Sequence, residues 1–271
     1  MIFVKEIDVI TINTLNQLKQ KKEKIAVLTS YDATFARVAE QAGVEVILVG
    51  DSLGMVVQGQ ESTVPVTVDD MVYHSSIVTR GTSNAFVIAD MPFMSYATLE
   101  MALDNAARLM QEGGAHMVKL EGGGSATNNI VRELTSQSVP VCGHLGLLPQ
   151  SVHQMGGYKV QGRDEQQAEQ IMHQAIELQQ AGAQMLVLEC VPALLANRIS
   201  EELMIPVIGI GAGKGTDGQV LVLHDMLGLN EKPASFVTDF LAAANGSIAS
   251  AIEAYVQAVK QQQFPGEDQQ F

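Results

Sequence analysis

Eight short, almost wholly apolar runs recur along the chain between longer stretches of helical periodicity, and this alternation constrains the fold more than any other feature. The runs lie at 25–29, 46–49, 86–89, 117–120, 139–142, 185–188, 207–209 and 220–223. A strand that is apolar at every position must be covered on both faces, which is the condition of a parallel sheet wrapped in helices. Helices are expected over 67–80, 98–111, 164–180 and 192–202, the first two opened by Thr67 and Thr98, which can cap free N–H groups. Eight such units within 271 residues predict an α/β fold, a (β/α)₈ TIM barrel in a single domain over 1–271. It carries an N-terminal helical segment at about 11–24 and a polar tail at about 261–271. A doubly wound sheet shares the periodicity and differs in closure.

With 46% hydrophobic residues the chain can bury a large core. Thirty acidic residues against 16 Lys and Arg give a net charge of -14, which repels a phosphate backbone and excludes nucleic acid as an expected partner. The one basic cluster, Lys19, Lys21, Lys22 and Lys24, reads as a solvated helix face. Cys142 and Cys190 lack CxxC spacing and are expected as free thiols in a reducing compartment. No apolar run approaches the roughly 20 residues that cross a bilayer. Glu6 and Asp8 stand where a signal peptide would be basic, so the cytoplasm, with no membrane partner, is the expected location. The loops at 50–65 and 143–163 are long enough to cover a site.

A weak internal repeat points to that site. Gly114-Ala115 precedes Glu121 by the spacing at which Gly182-Ala183 precedes Glu189, with an apolar strand between them in each case. Two further strands lead to Asp51 and Asp90. In a barrel, residues at C-terminal strand ends converge on one mouth, so the four acids are expected together. Gathered carboxylates repel one another unless a cation joins them. Oxygen ligands without paired Cys and His favour magnesium over zinc. Lys119, two residues before Glu121, leaves its strand on the same face and should reach the same pocket.

A cation with a lysine can hold an anionic oxo acid and polarise its carbonyl, which makes the adjacent C–H acidic. Glu189, followed by the apolar Cys190-Val191-Pro192, suits the base. His144, just past the fifth strand, is either a donor to developing charge or a hydrogen-bonded core residue. Gly209-Ile210-Gly211-Ala212-Gly213 resembles a phosphate-binding turn but equally suits a tight loop under a ligand.

Several segments in order carry a closer likeness: Thr29-Ser30-Tyr31-Asp32, Val49-Gly50-Asp51-Ser52-Leu53-Gly54, Ala89-Asp90-Met91-Pro92, Val118-Lys119-Leu120-Glu121-Gly122-Gly123, Gly143-His144-Leu145-Gly146, Gly156-Gly157-Tyr158-Lys159 and Leu188-Glu189-Cys190-Val191-Pro192. Over most of its length the chain resembles the ketopantoate hydroxymethyltransferase family. The resemblance implies a magnesium-dependent, aldol-type transfer of a hydroxymethyl group from 5,10-methylenetetrahydrofolate to 3-methyl-2-oxobutanoate. Water is consumed, and 2-dehydropantoate forms through a magnesium-stabilised enolate in pantothenate biosynthesis. By motif, Asp51, Asp90 and Glu121 match the metal-associated acids. Asp51, Ser52, Asp90 and Lys119 match substrate contacts, and Glu189 matches the proton acceptor. A cytoplasmic homo-oligomer, a decamer of stacked pentameric rings, is implied as well.

Two segments depart from the family pattern: the small Gly124-Ser125-Ala126-Thr127, and Leu147-Leu148-Pro149-Gln150, where a Thr before Pro is common. Neither is expected to touch the acids. A phosphoenolpyruvate mutase or isocitrate lyase type of barrel lacks support, because no Lys-Lys-Cys-Gly-His-type loop is present. A barrel without activity would have no reason to gather four acids and Lys119.

Overall fold

The computed structural model describes residues 9–244 and 246–271; Glu6 and Asp8, on which the reading of the N-terminus rested, lie outside them. Eight parallel strands close into a barrel in sequence order, β1 (Ile25–Thr29), β2 (Val46–Val49), β3 (Phe86–Asp90), β4 (Met117–Glu121), β5 (Val141–Gly146), β6 (Met185–Glu189), β7 (Val207–Ile210) and β8 (Gly218–Leu221). Closure is completed by β1 pairing with β8, with Val27 opposite Val220. The fold is therefore the (β/α)₈ TIM barrel and not the open, doubly wound sheet.

The unbroken apolar runs resolve into two cores once alternation is applied. Val27, Leu48, Ile88, Met117, Met185 and Val220 point into the barrel and form one cluster. Their neighbours Leu28, Ile47, Val87, Val118, Leu186 and Leu221 face the surrounding helices. Continuing the inward parity of Ile88, Met117, Cys142 and Val187 by two residues reaches Asp90, Lys119, His144 and Glu189, and another two from Lys119 reach Glu121. Strand pairing thus carries these polar groups from the apolar lumen to its C-terminal mouth.

The expected helices form at Val68–Gly81, Leu99–Gln111, Glu165–Gln180 and Ala193–Glu202. Thr67 caps the first within a capping box with Asp70, and the Thr98 hydroxyl accepts from Met101 N–H. Three local expectations change. β5 begins at Val141 and runs to Gly146, so His144 lies inside a strand instead of past its end. β8 starts two residues early, at Gly218, and Leu223 opens a short helix. Between β7 and β8, residues 211–217 connect the strands without a helix.

The helix Ile12–Gln20 closes the N-terminal end of the barrel, with Leu15 fully buried against the inner core. Its lysines are not uniformly solvated. Lys19 Nζ donates to Asp217 Oδ2 at 2.6 Å and to Ser200 O at 2.7 Å, and Lys24 Nζ donates to Lys214 O at 3.1 Å. Only Lys21 and Lys22 stand exposed, because Lys19 reaches Ser200 O in the helix Ala193–Glu202 together with Asp217, and Lys24 reaches a carbonyl of the β7–β8 connection. Among the described residues no helix is long and apolar enough to cross a membrane. Both cysteines are buried free thiols.

Candidate active site

At the mouth the inward side chains surround a cavity of about 570 Å³ whose floor is Leu48, Val187 and Val220. Asp90 and Lys119 are cross-strand partners, and Lys119 Nζ lies 3.0 Å from Asp90 Oδ1 with both side chains buried. Burial works against the lysine charge, but Asp90, Glu121 and Asp51 together overcome it and hold its pKa above the ordinary value. The ammonium is therefore a fixed cation in the site.

Asp51 follows β2 and turns its backbone N–H onto Asp90 Oδ2 at 3.1 Å. Burial, and then the nearby Asp90 charge, push its carboxyl up to about 7. Glu121 is also raised well above the usual carboxylate range, by burial first and against the pull of Lys119. Glu189 at the end of β6 is pushed up to about 7 by burial, with Lys119 opposing, and its side chain keeps 14% of its surface open to the cavity. An acid poised near neutrality and reachable from the cavity is suited to take a proton. Ser52 lines the cavity, and its hydroxyl meets Tyr31 Oη at 2.9 Å.

His144 sits between Glu121 and Glu189 on β5. Its Nδ1 faces Lys119 Nζ at 3.2 Å, and its Nε2 lies 3.2 Å from Glu189 Oε2. Burial, then Lys119, lower its pKa well below the ordinary value, so the ring is neutral. The β5 end is positioned by Gly146, at φ +93. A Cβ there would stand 2.1 Å from Glu189 O, so only glycine lets β5 and β6 approach at the base.

Sequence reasoning missed Gln150 and Tyr96. Gln150 Nε2 donates to Asp51 Oδ2 at 2.8 Å and to Met91 O at 2.9 Å, and its backbone N–H donates to Glu121 Oε2 at 3.1 Å. Tyr96 Oη donates to Gln150 Oε1 at 2.7 Å. The Leu147-Leu148-Pro149-Gln150 departure thus does touch the acids, contrary to expectation, because a 3₁₀ turn at Pro149–Ser151 folds Gln150 inward. A lone Gln after Pro gives no periodic signal; its only clue was membership of a long loop after a strand.

Among the described residues no three acidic, His or Cys side chains enclose a single point, and Glu121 is engaged by Gln150. Asp51 and Asp90 are the near pair, with Asp90 Oδ1 met by the Lys119 ammonium at 3.0 Å and Asp90 Oδ2 by Asp51 N–H at 3.1 Å. Two hard oxygen ligands fit a magnesium ion that would complete its shell with water and substrate oxygens. They do not fit a closed zinc site.

A closed eight-stranded barrel with a lysine, a poised carboxylate and paired acids at its C-terminal mouth defines a TIM-barrel enzyme of small-molecule chemistry. The model of the ketopantoate hydroxymethyltransferase family matches residues 9–267, and the chain belongs to that family; it is a transferase. A 3-methyl-2-oxobutanoate hydroxymethyltransferase of Marinobacter nauticus is 60% identical over 264 residues, 97% of this chain and 98% of that protein. One of Nitrosococcus oceani is 59% identical over 257 residues, covering 94% and 97%. Among solved structures, phosphoenolpyruvate phosphomutase of Streptomyces platensis subsp. rosaceus superposes with TM-score 0.61 at 12% identity, over 94% of this chain and 91% of that one. A 2,3-dimethylmalate lyase gives 0.56 at 18% identity, over 95% and 90%. Those two likenesses concern the fold alone.

Proposed function

We propose that the chain transfers a hydroxymethyl group from 5,10-methylenetetrahydrofolate to 3-methyl-2-oxobutanoate, giving 2-dehydropantoate for pantothenate synthesis. The observation that carries the reading is the grouping of Lys119, Asp90 and Asp51 opposite Glu189 in one cavity. Lys119 meets the substrate carboxylate as a fixed cation, and Ser52 donates to it. Asp51 and Asp90 would hold magnesium, with Glu121 the third acid beside them. When bound, the ion polarises the 2-oxo group and makes the C3 proton acidic.

Glu189 removes that proton, leaving an enolate, and His144 holds the carboxylate toward C3. Carbon–carbon bond formation joins C3 to the donor's one-carbon unit. Both of that carbon's bonds to folate nitrogens break. Water supplies the new hydroxyl oxygen, and the two nitrogens regain protons, one from water and one from C3 by way of Glu189. By family resemblance the enzyme works in the cytoplasm as a homo-oligomer, a decamer, which light scattering on the purified protein checks.

The test omits folate. Proton NMR in D₂O follows loss of the C3 proton of 3-methyl-2-oxobutanoate with and without magnesium. Magnesium-dependent exchange supports the reading; no exchange by folded enzyme sinks it.

A further inference from the structure

Ser52 stands at the start of the short helix Leu53–Val56, where a serine ordinarily spends its oxygen on a free N–H of the first turn, yet its hydroxyl makes no such bond. The oxygen meets Tyr31 Oη at 2.9 Å instead, and the residue lines the cavity. Gly50 makes room for this placement: a Cβ there would stand 2.8 Å from Ser52 Oγ and 3.5 Å from Asp90 Oδ2. The hydroxyl is thus brought beside the acids and held by a phenol that the chemistry above does not use.

Tyr31 is itself firmly placed. It lies two residues past β1 with 3% of its surface exposed, and it is not one of the residues that line the cavity. Its carbonyl accepts from His74 Nδ1, on the helix Val68–Gly81, at 2.7 Å. Its ring packs on that of His224 with centroids 5.5 Å apart. Burial raises the phenol pKa, against the hydrogen bonds of Ser52 and Thr29, so the oxygen keeps its proton.

That proton gives the contact a direction. Two hydroxyls at 2.9 Å can each donate to the other. If Ser52 donated, the Tyr31 O–H would need another acceptor, and among the described residues it has no other aligned hydrogen bond. Thr29 Oγ1, the other hydroxyl beside it, already accepts from Leu223 N–H at 2.9 Å. A buried O–H without an acceptor is costly, so Tyr31 donates and the single O–H of Ser52 is left free for a ligand.

We propose that Tyr31 is a positioning residue for substrate recognition: by donating to Ser52 Oγ it commits the serine O–H to the cavity, where that group donates to the anionic end of the oxo acid alongside Lys119. This rests on the oxo-acid reading of the site and adds the group that decides which way Ser52 donates. A carboxylate keeps its charge through enolisation, so the donation holds substrate and transition state alike and is felt in KM more than in kcat.

A double-mutant cycle tests this, with Tyr31→Phe, Ser52→Ala and the pair, each followed by donor-free C3 exchange and by thermal unfolding of the whole enzyme. Tyr31→Phe keeps the ring on His224 and should raise KM for 3-methyl-2-oxobutanoate about three- to tenfold at near-parental kcat. Ser52→Ala should raise KM about ten- to a hundredfold. Added to Ser52→Ala, Tyr31→Phe should cause no further rise, because no hydroxyl remains to aim. Unfolding without substrate should move the other way: Ser52→Ala strands the Tyr31 O–H and lowers Tm, and adding Tyr31→Phe recovers part of the loss. Parental KM in Tyr31→Phe, or an equal rise in both backgrounds, would overturn the proposal and leave Tyr31 a packing residue. A parental Tm in Ser52→Ala would overturn the direction of donation and the proposal with it. Absence of C3 exchange in the parent would instead overturn the oxo-acid reading, with recovery of Tm in the pair leaving the donation from Tyr31 to Ser52 standing.

Discussion

His144 Nε2 stands 3.2 Å from Glu189 Oε2 while its Nδ1 faces Lys119 Nζ at 3.2 Å. A lysine ammonium only donates, so Nδ1 carries the lone pair and the single ring proton sits on Nε2, the nitrogen nearest Glu189, with no aligned hydrogen bond to it before substrate binds. The lysine thereby sets the tautomer of the ring beside the base. His144→Ala should lower kcat by about 10²-fold with a smaller change in KM, and His144→Gln, which can keep a donor, should recover part of the loss. Steady-state kinetics on the two variants decide this; an Ala variant with parental kcat removes the orienting role.

Glu189 is pushed up to about 7 by burial, with Lys119 opposing. A base acts only when ionised, and a raised pKa means that it stays protonated until the pH passes that value. Donor-free C3 exchange should climb about tenfold per pH unit below 7 and level off above it. Glu189→Gln should retain oxo-acid binding, lose about 10²- to 10⁴-fold in exchange and show no rising limb. A rising limb that persists in this variant would belong to some other group.

Gln150 joins three parts of the site, donating to Asp51 Oδ2 and to Glu121 Oε2 while accepting from Tyr96. Its side-chain donation favours the ionised form of Asp51, the form that binds a cation. Gln150→Ala should therefore weaken magnesium binding by about 10- to 100-fold, as outer-shell losses commonly do, while Mg²⁺-independent folding is retained. Calorimetric titration of magnesium into the variant measures this, and an unchanged affinity would leave Gln150 with a packing role only.

The contrast between Lys119 and Gln150 explains how much the sequence discloses. Strand positions follow a period of two, so the parity that buries Met117 also aims Lys119 and Glu121, and the barrel with most of its mouth is legible from pattern. His144 was misjudged by a strand end, since Gly143 and Gly146 read as a loop although the strand continues through them. Gln150 and Tyr96 reach the acids through turns and chain crossings whose course depends on tertiary contacts. Lys19 was unreadable for a related reason: its partner Asp217 lies on the far side of the sequence, and helix periodicity reports a face but not what it meets.

At the opposite end of the barrel, Asp217 Oδ2 accepts from Lys19 Nζ at 2.6 Å, Ser200 Oγ at 3.0 Å and Val207 N–H at 2.8 Å. Lys19→Met keeps the apolar stem but leaves the carboxylate short of its cation. With both side chains mostly buried, the cost should be about 2 to 3 kcal/mol, somewhat under that of breaking a fully buried pair. Urea unfolding should report that loss with kcat unchanged. A loss below about 0.5 kcal/mol would class the contact with ordinary surface pairs.

Asp51 and Glu189 have folded-state pKa values of about 7, above their ordinary 3.8 and 4.5. For such groups the folded protein holds its protons more tightly than the unfolded chain. Their contribution to stability is complete below about pH 4 and is lost as the pH rises through about 7. The cation-free enzyme should accordingly lose melting temperature between pH 5.5 and 8. Magnesium reverses the trend, because it binds the ionised carboxylates and competes with protons. At a hundred times its Kd a cation adds about 2.7 kcal/mol, or roughly 5 to 10 °C for a chain of this size, so that shift is expected at pH 8 and a smaller one at pH 5.5. Asp51→Asn should diminish the magnesium shift and reduce the pH dependence together, since Asp51 contributes to both while Glu189 keeps its own share of the latter. Differential scanning fluorimetry of the two proteins at both pH values is sufficient. A magnesium shift of equal size at each pH, kept in Asp51→Asn, would mean that the cation binds elsewhere.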